Sequence, residues 1–178
     1  RTGASMFYFA KGDNVKSAAD NFSHQVCQAF EKKRKSRKKL AIDKIMLDGF
    51  KSLESRDFKI ENGEKIMEHA RSIKSAEEIK AMRCSISACE TSIHVMEKET
   101  KPGMTENDIW SILHSENIKR GGEWIETRLL SSGTKTNPWF QECGSRILQN
   151  NEIVAFDTDL VGCYSMCTDI SRTWWIGD

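Results

Sequence analysis

The sequence has no apolar run long enough to span a lipid bilayer, so we expect no membrane contact. It also has almost no net charge, +1 from 27 basic and 26 acidic residues. The overall charge therefore neither favours nor excludes a nucleic-acid partner. Internal repeats are absent as well, which excludes a solenoid or propeller array.

Two ligand spacings typical of zinc sites are missing. The four histidines contain no HxxxH pair, and the six cysteines contain no CxxC pair. Scattered cysteines in a chain of this size are typical of reduced thiols rather than of a disulfide framework. We therefore expect a cytoplasmic protein.

A basic run is present, with seven lysines and arginines within residues 31–39. Such a run can bind nucleic acid, but no aromatic or fold signature of a nucleic-acid-binding protein accompanies it. Cations also suit the C-terminal end of a helix. We interpret the run as a solvated helix end and expect no nucleic-acid partner.

The ends of the chain indicate an internal segment of a longer protein. The sequence opens on Arg1 rather than Met and closes at Asp178, shortly after its most informative motif. Its 178 residues suit one domain, or part of one domain and a piece of another.

Residues 1–62 alternate between strand and helix patterns. Residues 6–10 are a predicted strand, and another strand begins near residue 39 and leads into a short helix. Residues 58–63 close this region, with a turn signal at Asn62-Gly63. Residues 15–35 carry apolar side chains at helical spacing, with Asp13 or Asn14 as N-cap. This region is predicted to be an α/β piece.

Residues 63–178 have helices first and strands afterwards, which predicts an α+β domain. Ser75 with Glu78, and Thr105 with Asp108, form capping boxes ahead of two amphipathic helices. The stretches WIETRLLSSG, EIVAFDTDL and YSMCTDISRTWWIG are each predicted as one strand, and GTKTNPWF as a loop.

Three aspartates lie in the last two predicted strands: Asp157, Asp159 and Asp169. Residues i and i+2 of a strand share a face, and a turn at Gly162 would place Asp169 across the ladder from the other two. Two such charges 4 Å apart repel by about 4 kcal/mol at an effective dielectric of 20. Either some stay protonated, or a divalent cation such as Mn, Fe, Mg, Co or, less typically, Zn binds between them. The alternative is a register that directs one or more of them to solvent.

Several stretches resemble, in order, the creatinase, prolidase and aminopeptidase P family of pita-bread metalloenzymes. ARSIKSAEEIKAMR and KPGMTENDI resemble the first two helices of its catalytic domain, LLSSGTKTNPWF its substrate loop, and the stretch ending in DISRTW its metal hairpin. The resemblance implies that residues 63–178 are the first half of that catalytic domain. It also implies that residues 1–62 end a creatinase-type N-terminal α/β domain, and that the protein is a homodimer.

Two positions depart from the peptidases of this family. The first metal strand usually reads Asp-x-Gly, whereas here Asp159 stands in place of the glycine, and Trp139 stands where the peptidases carry a histidine. Both departures resemble the dimethylsulfoniopropionate (DMSP) lyases of this fold, which release dimethyl sulfide and acrylate by proton abstraction and elimination. This resemblance implies that the three aspartates bind metal. It also implies that Trp139 faces the sulfonium cation of the substrate, as an aromatic ring can, with Tyr164 as a second aromatic candidate.

Other interpretations stay open at this point. The chain could belong to an Xaa-Pro aminopeptidase, prolidase or creatinase-like hydrolase of the same fold, or to an inactive member that serves as a binding module. Trp139 could also be a packing residue. The family completes its metal site with a histidine and two glutamates from later strands, and the general base of the lyases would lie beyond Asp178. We therefore expect this chain alone to bind metal weakly and to be inactive.

Overall fold

The computed structural model describes residues 12–33 and 38–177. It divides the chain into two units, Arg1–Ile73 and Lys74–Asp178. The predicted strand at residues 6–10 and part of the basic run lie outside the described residues. Within the described ranges, no helix is both long and apolar enough to cross a membrane.

The first unit has the predicted α/β order. Its elements are α1 (Val15–Lys32), β1 (Lys39–Ile42), α2 (Leu47–Glu54), β2 (Lys59–Asn62) and α3 (Glu64–Ser72). The two strands pair in parallel from Lys39 opposite Lys59 to Ile42 opposite Asn62. Parallel neighbours need a crossover, and α2 supplies it.

Helices α1 and α2 are joined by buried polar contacts beside a small apolar core. Ser23 Oγ and Ser52 Oγ lie 2.8 Å apart, and Arg56 Nε donates to Ser23 Oγ at 2.6 Å. The ring of Phe30 packs edge-on against Phe58, with the ring centroids 5.0 Å apart. This hydrogen-bonded contact satisfies hydroxyl groups that would otherwise be costly to bury.

The second unit begins with two long helices, α4 (Ala76–Glu99) and α5 (Glu106–Lys119). Both predicted capping boxes are present, since Ser75 and Thr105 each accept a hydrogen bond from the backbone of the third helical residue. In turn, the carboxylate of Glu78 accepts from the backbone N–H of Ser75 at 2.7 Å, and that of Asp108 accepts from the N–H of Thr105 at 2.8 Å. Each box satisfies two otherwise free donors at a helix start.

Six short strands follow and form two three-stranded antiparallel sheets. The strands are β3 (Trp124–Ile125), β4 (Leu130–Ser132), β5 (Glu152–Phe156), β6 (Asp159–Val161), β7 (Cys167–Asp169) and β8 (Arg172–Ile176). The strand orders are β3-β6-β7 and β4-β5-β8. The prediction of three continuous strands is therefore wrong, because each predicted strand breaks once and contributes a segment to both sheets.

The helices and one face of the sheets enclose the core of the second unit. A buried apolar cluster joins them, consisting of Cys89, Ile93, Met96, Ile109, Trp110, Leu113, Ile125, Leu130, Cys143, Leu148, Val154, Phe156, Leu160 and Ile176. On the opposite face, the facing pair Ile153 and Trp175 is exposed. The helical layer thus fixes the inner face of both sheets and leaves the other face open.

The boundary between the two units follows Ile73, whereas the sequence predicts domains that meet between residues 62 and 63. The structural division leaves α3 in the first unit, although α3 contributes no buried residue to either core. That the predicted ranges are domains of the full-length protein stays a prediction.

Candidate metal and substrate site

The three aspartates meet where two strands change sheets. Phe156 pairs with Arg172 in one sheet, and Asp159 pairs with Asp169 in the other. Asp157 lies in the short segment between β5 and β6, outside both ladders. The expectation that Asp157 and Asp159 share one continuous strand is wrong, but the expected pairing of Asp159 with Asp169 is confirmed.

Local hydrogen bonds hold two of these carboxylates. Asp157 Oδ1 accepts from Ser171 Oγ at 2.7 Å and from the backbone N–H of Thr158 at 3.1 Å. Asp159 Oδ2 accepts from Thr127 Oγ1 at 3.1 Å. Asp157 and Asp159 are partly buried and Asp169 is exposed, so the group lies at the surface of the second unit.

The charges of Asp157 and Asp159 repel that of Asp169. The negative charge of Asp157 is the main cause that raises the pKa of the Asp169 carboxyl above its ordinary value. Burial, a hydrogen bond with Asp157 and the charge of Asp159 raise this pKa further. Among residues 12–33 and 38–177, no lysine, arginine or histidine forms an ion pair with any of the three.

The donor chemistry fits a hard divalent cation, because carboxylate oxygens without a protein cation are what such ions prefer. The geometry fits only in part. No three histidine, cysteine, aspartate or glutamate side chains of the described residues are arranged to hold a metal ion by themselves. The three aspartates therefore offer adjacent oxygen donors, and they do not form a closed ligand set.

Trp139 lies in the loop between β4 and β5, after a cis Asn137–Pro138 bond. The residue is 37% exposed, and its ring contacts that of Phe140 edge-on, with the ring centroids 6.1 Å apart. In the described part of the chain, no hydrogen bond or ring contact connects Trp139 with the three aspartates. Trp139 is thus a partly exposed residue on a loop outside the group of aspartates.

Tyr164 is placed away from the aspartates. It lies at the turn between β6 and β7, with a positive φ of 63° and 72% of its surface exposed. Asp159 and Asp169 pair at the opposite end of the same hairpin. At about 3.3 Å per residue, the turn is on the order of 10 Å from that pair. The structure thus does not support the prediction that Tyr164 joins Trp139 in one substrate site.

Sequence reasoning missed Glu106, the first residue of α5, whose side chain is fully buried. One carboxylate oxygen accepts from the N–H and the Oγ of Ser132, both at 2.9 Å. The other accepts from Lys135 Nζ at 2.6 Å and from the N–H of Gly144 at 3.0 Å. We call these four residues the Glu106 network. A glutamate just after a helix N-cap is common, and its sequence position alone gave no sign of burial.

A second ion pair supports the same region. Arg146 reaches both carboxylate oxygens of Glu152 at 2.6 Å and also donates to Ser132 Oγ at 2.6 Å. The hydrogen bond and charge of Arg146 lower the pKa of the Glu152 carboxyl. Because Ser132 belongs to both sets of contacts, the two carboxylates brace the start of the Trp139 loop together.

Residues 80–178 match the sequence model of metallopeptidase family M24. Two curated relatives match along the whole chain. One is the dimethylsulfoniopropionate lyase DddP of Roseovarius nubinhibens, 56% identical, and the other is the protein of the same name from Roseobacter denitrificans, 55% identical. The chain spans 41% of the length of each.

Solved structures show the same fold at low sequence identity. A dipeptidase from Pyrococcus horikoshii is 20% identical, covers 88% of this chain and 44% of its own, and has a TM-score of 0.75. The Xaa-Pro dipeptidase of Bacillus anthracis is also 20% identical, with 90% and 44% covered and a TM-score of 0.73. The X-Pro aminopeptidase of Thermotoga maritima is 19% identical, with 89% and 45% covered and a TM-score of 0.72. These likenesses confirm the predicted α+β pita-bread fold.

Proposed function

This chain belongs to metallopeptidase family M24, and from that premise we propose that the full-length protein is a DMSP lyase. The supporting observation is identity of 55–56% along the whole chain to two proteins that carry this name. The dipeptidase and aminopeptidase structures share the fold at 20% identity or less.

The proposed reaction is an elimination. A base removes a proton from the carbon next to the substrate carboxylate, and the electron pair left behind forms the carbon–carbon double bond. The bond from the neighbouring carbon to sulfur breaks, and its electrons leave with dimethyl sulfide. Acrylate and one proton complete the balance. The resemblance to the family implies that the base lies beyond Asp178.

Asp157, Asp159 and Asp169 are the proposed metal ligands from this chain. The repulsion that raises the pKa of Asp169 supports this role, because a divalent cation between the carboxylates would relieve it. When bound, such an ion attracts the substrate carboxylate and stabilises negative charge that develops beside it. Ser171 and Thr127 hold Asp157 and Asp159 in place by hydrogen bonds.

Trp139 is the proposed contact for the sulfonium group. The face of an indole ring attracts a cation within about 6 Å of its centroid. A histidine at this position could carry a positive charge of its own and would repel the sulfonium when protonated. The exposed ring of Trp139 supports the proposed contact.

The second candidate function is hydrolysis of Xaa-Pro peptides, which the family name and the fold of the solved structures favour. Asp159 and Trp139 argue against it, because the resemblance to the peptidases places a glycine and a histidine at these positions. An inactive binding module is less well supported, since the chain keeps all three aspartates and the charges of Asp157 and Asp159 both act on Asp169.

Assaying the purified full-length protein with both substrate classes separates these functions. We expect dimethyl sulfide release from DMSP, no cleavage of an Xaa-Pro dipeptide, and loss of the lyase activity on treatment with a chelator. Dipeptide cleavage without dimethyl sulfide release would establish the hydrolase. Inactivity towards both substrates, with metal bound, would favour the binding module.

We further propose that the full-length protein is a homodimer in the cytoplasm. The dimer follows from the resemblance to this family. The cytoplasmic location follows from the cysteines, all six of which are free thiols in the structure. Sedimentation of the full-length protein tests whether it is a dimer, and fractionation of the source cells tests whether it is in the cytoplasm.

A further inference from the structure

The Trp139 loop, residues 133–144, is held at both ends by one carboxylate. Ser132 and Lys135 bind Glu106 from the side before Trp139, and the N–H of Gly144 binds it from the side after. Lys135 Nζ also donates to the backbone oxygen of Glu142 at 2.6 Å, which ties the two sides of the loop to each other. Glu106 therefore acts as a common anchor for both ends of the loop.

Glu106 is well suited to this anchoring. A buried carboxylate is tolerated only where a cation or several donors replace its water, and Glu106 has one cation and three further donors. It also stands in the first turn of α5, where the helix dipole favours a negative charge. The anchor is thus fixed to a long helix that packs in the core.

Residues 137–140, in the middle of the loop, have little support of their own, whereas Glu142 and Cys143 are also tied to Arg128, by an ion pair and by a backbone hydrogen bond of 2.8 Å. Asn137, Pro138, Trp139 and Phe140 are all exposed, and Phe140 has a positive φ of 71°. The main internal contacts are the edge-on pair of Trp139 with Phe140 and a hydrogen bond of 3.3 Å from Gln141 Nε2 to the oxygen of Pro138. The position of the indole therefore depends on where the two ends of the loop are held.

We propose that Glu106 is a positioning residue for substrate binding, which acts by holding the Trp139 loop so that the indole meets the sulfonium group. This inference rests on the proposed lyase function for its link to the substrate. Glu106 itself touches no substrate, because it is buried under the loop that it holds.

Glu106→Gln in the full-length protein tests the proposal. Glutamine keeps the shape of glutamate, but its NH₂ group cannot accept the two hydrogen bonds that the carboxylate oxygen at that place accepts. One end of the loop therefore loses its anchor. Glu116→Gln is the matched control, since Glu116 lies on the same helix and pairs with Lys119 and Arg120, away from the loop. Lys135→Ala is a second variant, which removes the cation but keeps the carboxylate of Glu106 and its three other donors.

The kinetic prediction is a change in KM rather than in kcat. We expect Glu106→Gln to raise KM for DMSP by about fivefold or more, up to the roughly thirtyfold that loss of a partly desolvated cation–π contact can cause. Lys135→Ala should raise KM by less, and Glu116→Gln should leave it unchanged. The double variant Glu106→Gln/Trp139→Ala should be no worse than Trp139→Ala alone, because both changes remove the same contact.

Hydrogen–deuterium exchange separates failure of this inference from failure of the lyase proposal. We expect faster amide exchange in residues 133–144 of Glu106→Gln, and not of Glu116→Gln, whatever reaction the protein catalyses. A wild type without lyase activity would refute the lyase proposal, and loop exchange alone would then decide the anchoring role. Unchanged exchange in both Glu106→Gln and Lys135→Ala, or additive KM effects in the double variant, would overturn the inference.

Discussion

Asp169 has the most clearly perturbed carboxyl of the candidate site. Its pKa is raised mainly by the charge of Asp157, which lies within hydrogen-bonding reach. Buried or half-buried acids elsewhere in the second unit have cations, as Glu106 has Lys135 and Glu152 has Arg146. A bound divalent cation would give Asp169 the positively charged partner that it lacks.

Replacing Asp169 with Asn should stabilise the metal-free full-length protein and abolish its stabilisation by Mn²⁺. Removing one like charge relieves repulsion of about 0.5 kcal/mol, the size expected for an exposed pair, and the new amide can still donate to Asp157. Thermal unfolding with excess MnCl₂ and with chelator measures both effects. Asp43→Asn, an exposed aspartate of the first unit, should change neither.

The same carboxyl predicts how these effects depend on pH. Because its pKa is raised in the folded state, the folded protein binds this proton more strongly than the unfolded chain does. Its contribution to metal-free stability is therefore present at low pH and is lost as the pH rises from about 3.8 through the raised value. Stabilisation by Mn²⁺ should grow over that interval. If the free energies of unfolding of the wild type and Asp169→Asn differed by the same amount at every pH, this account would be contradicted.

Trp139 should contribute to substrate binding and not to metal binding. We expect Trp139→Ala to weaken binding of DMSP by about 1–2 kcal/mol, or roughly five- to thirtyfold, and Trp139→Phe to retain part of the affinity. Metal content should stay constant, because the indole supplies no ligand atom. Steady-state kinetics and metal analysis of the same preparations check the two statements. Equal affinity of the alanine variant and the wild type would assign Trp139 a packing role.

At the scale of elements, the two capped helices of the second unit were predictable from sequence, and the breaks in its strands were not. Ser75 and Thr105 are capping residues whose chemistry is local, so their pattern is visible in sequence and the structure confirms it. In the second unit, strands β4 to β8 have three to five residues each, and β3 has two. Their breaks are set by partners distant in the chain, as when Phe156 pairs with Arg172 but Asp159 pairs with Asp169.

The candidate site divides in the same way. Spacing and one turn were enough to bring Asp159 and Asp169 opposite each other, since both depend on local register. Tyr164 was predicted as a second aromatic face for the substrate cation, but the turn places it at the other end of the hairpin from the paired aspartates. Glu106 could not be assigned from sequence, because its partners come from a loop more than twenty-five residues away.

The β6–β7 hairpin depends on close contact with α4 at Gly162. A Cβ atom added to Gly162 would lie 2.0 Å from Ser85 Oγ and 3.0 Å from Ser85 Cβ. Ser85 Oγ in turn donates to the backbone oxygen of Met166 at 2.8 Å, which holds the turn of the hairpin against the helix. Gly162→Ala must therefore displace Ser85, which breaks its bond to Met166, or move the hairpin that carries Asp159 and Asp169.

We expect Gly162→Ala to lower the free energy of unfolding by about 1–3 kcal/mol, as overpacking of a tight contact does. It should also weaken Mn²⁺ binding, because two of the aspartates move with the hairpin. Gly144→Ala is the matched control, since its added Cβ would meet Lys135 Nζ at an ordinary 3.8 Å. Denaturant titration measures stability, and a Gly162→Ala protein as stable as the control would contradict the packing described here.

On the scale of the whole molecule, the chain holds only part of a functional unit. It spans 41% of the length of the two curated relatives and at most 45% of the solved structures described above. The resemblance to the family implies that the proposed metal site takes further ligands from residues outside this chain.

The 178-residue chain on its own should bind Mn²⁺ weakly and release no dimethyl sulfide. Its aspartates give an open site, and no other acid, histidine or cysteine of the described residues completes it. Isothermal titration with MnCl₂ and headspace analysis of dimethyl sulfide, run beside the full-length protein, check both expectations. Any turnover of DMSP by the isolated chain would refute the second expectation, and Mn²⁺ binding as tight as that of the full-length protein would refute the first.

The central claim is that a protein with a metallopeptidase fold carries out an elimination in place of a hydrolysis. The products formed from DMSP by the full-length protein test this most directly, because hydrolysis at the same carbon–sulfur bond would add water. Proton NMR of the reaction mixture should show acrylate vinyl signals growing in step with dimethyl sulfide. Formation of 3-hydroxypropionate in place of acrylate, or the absence of both products while an Xaa-Pro dipeptide is cleaved, would contradict the account.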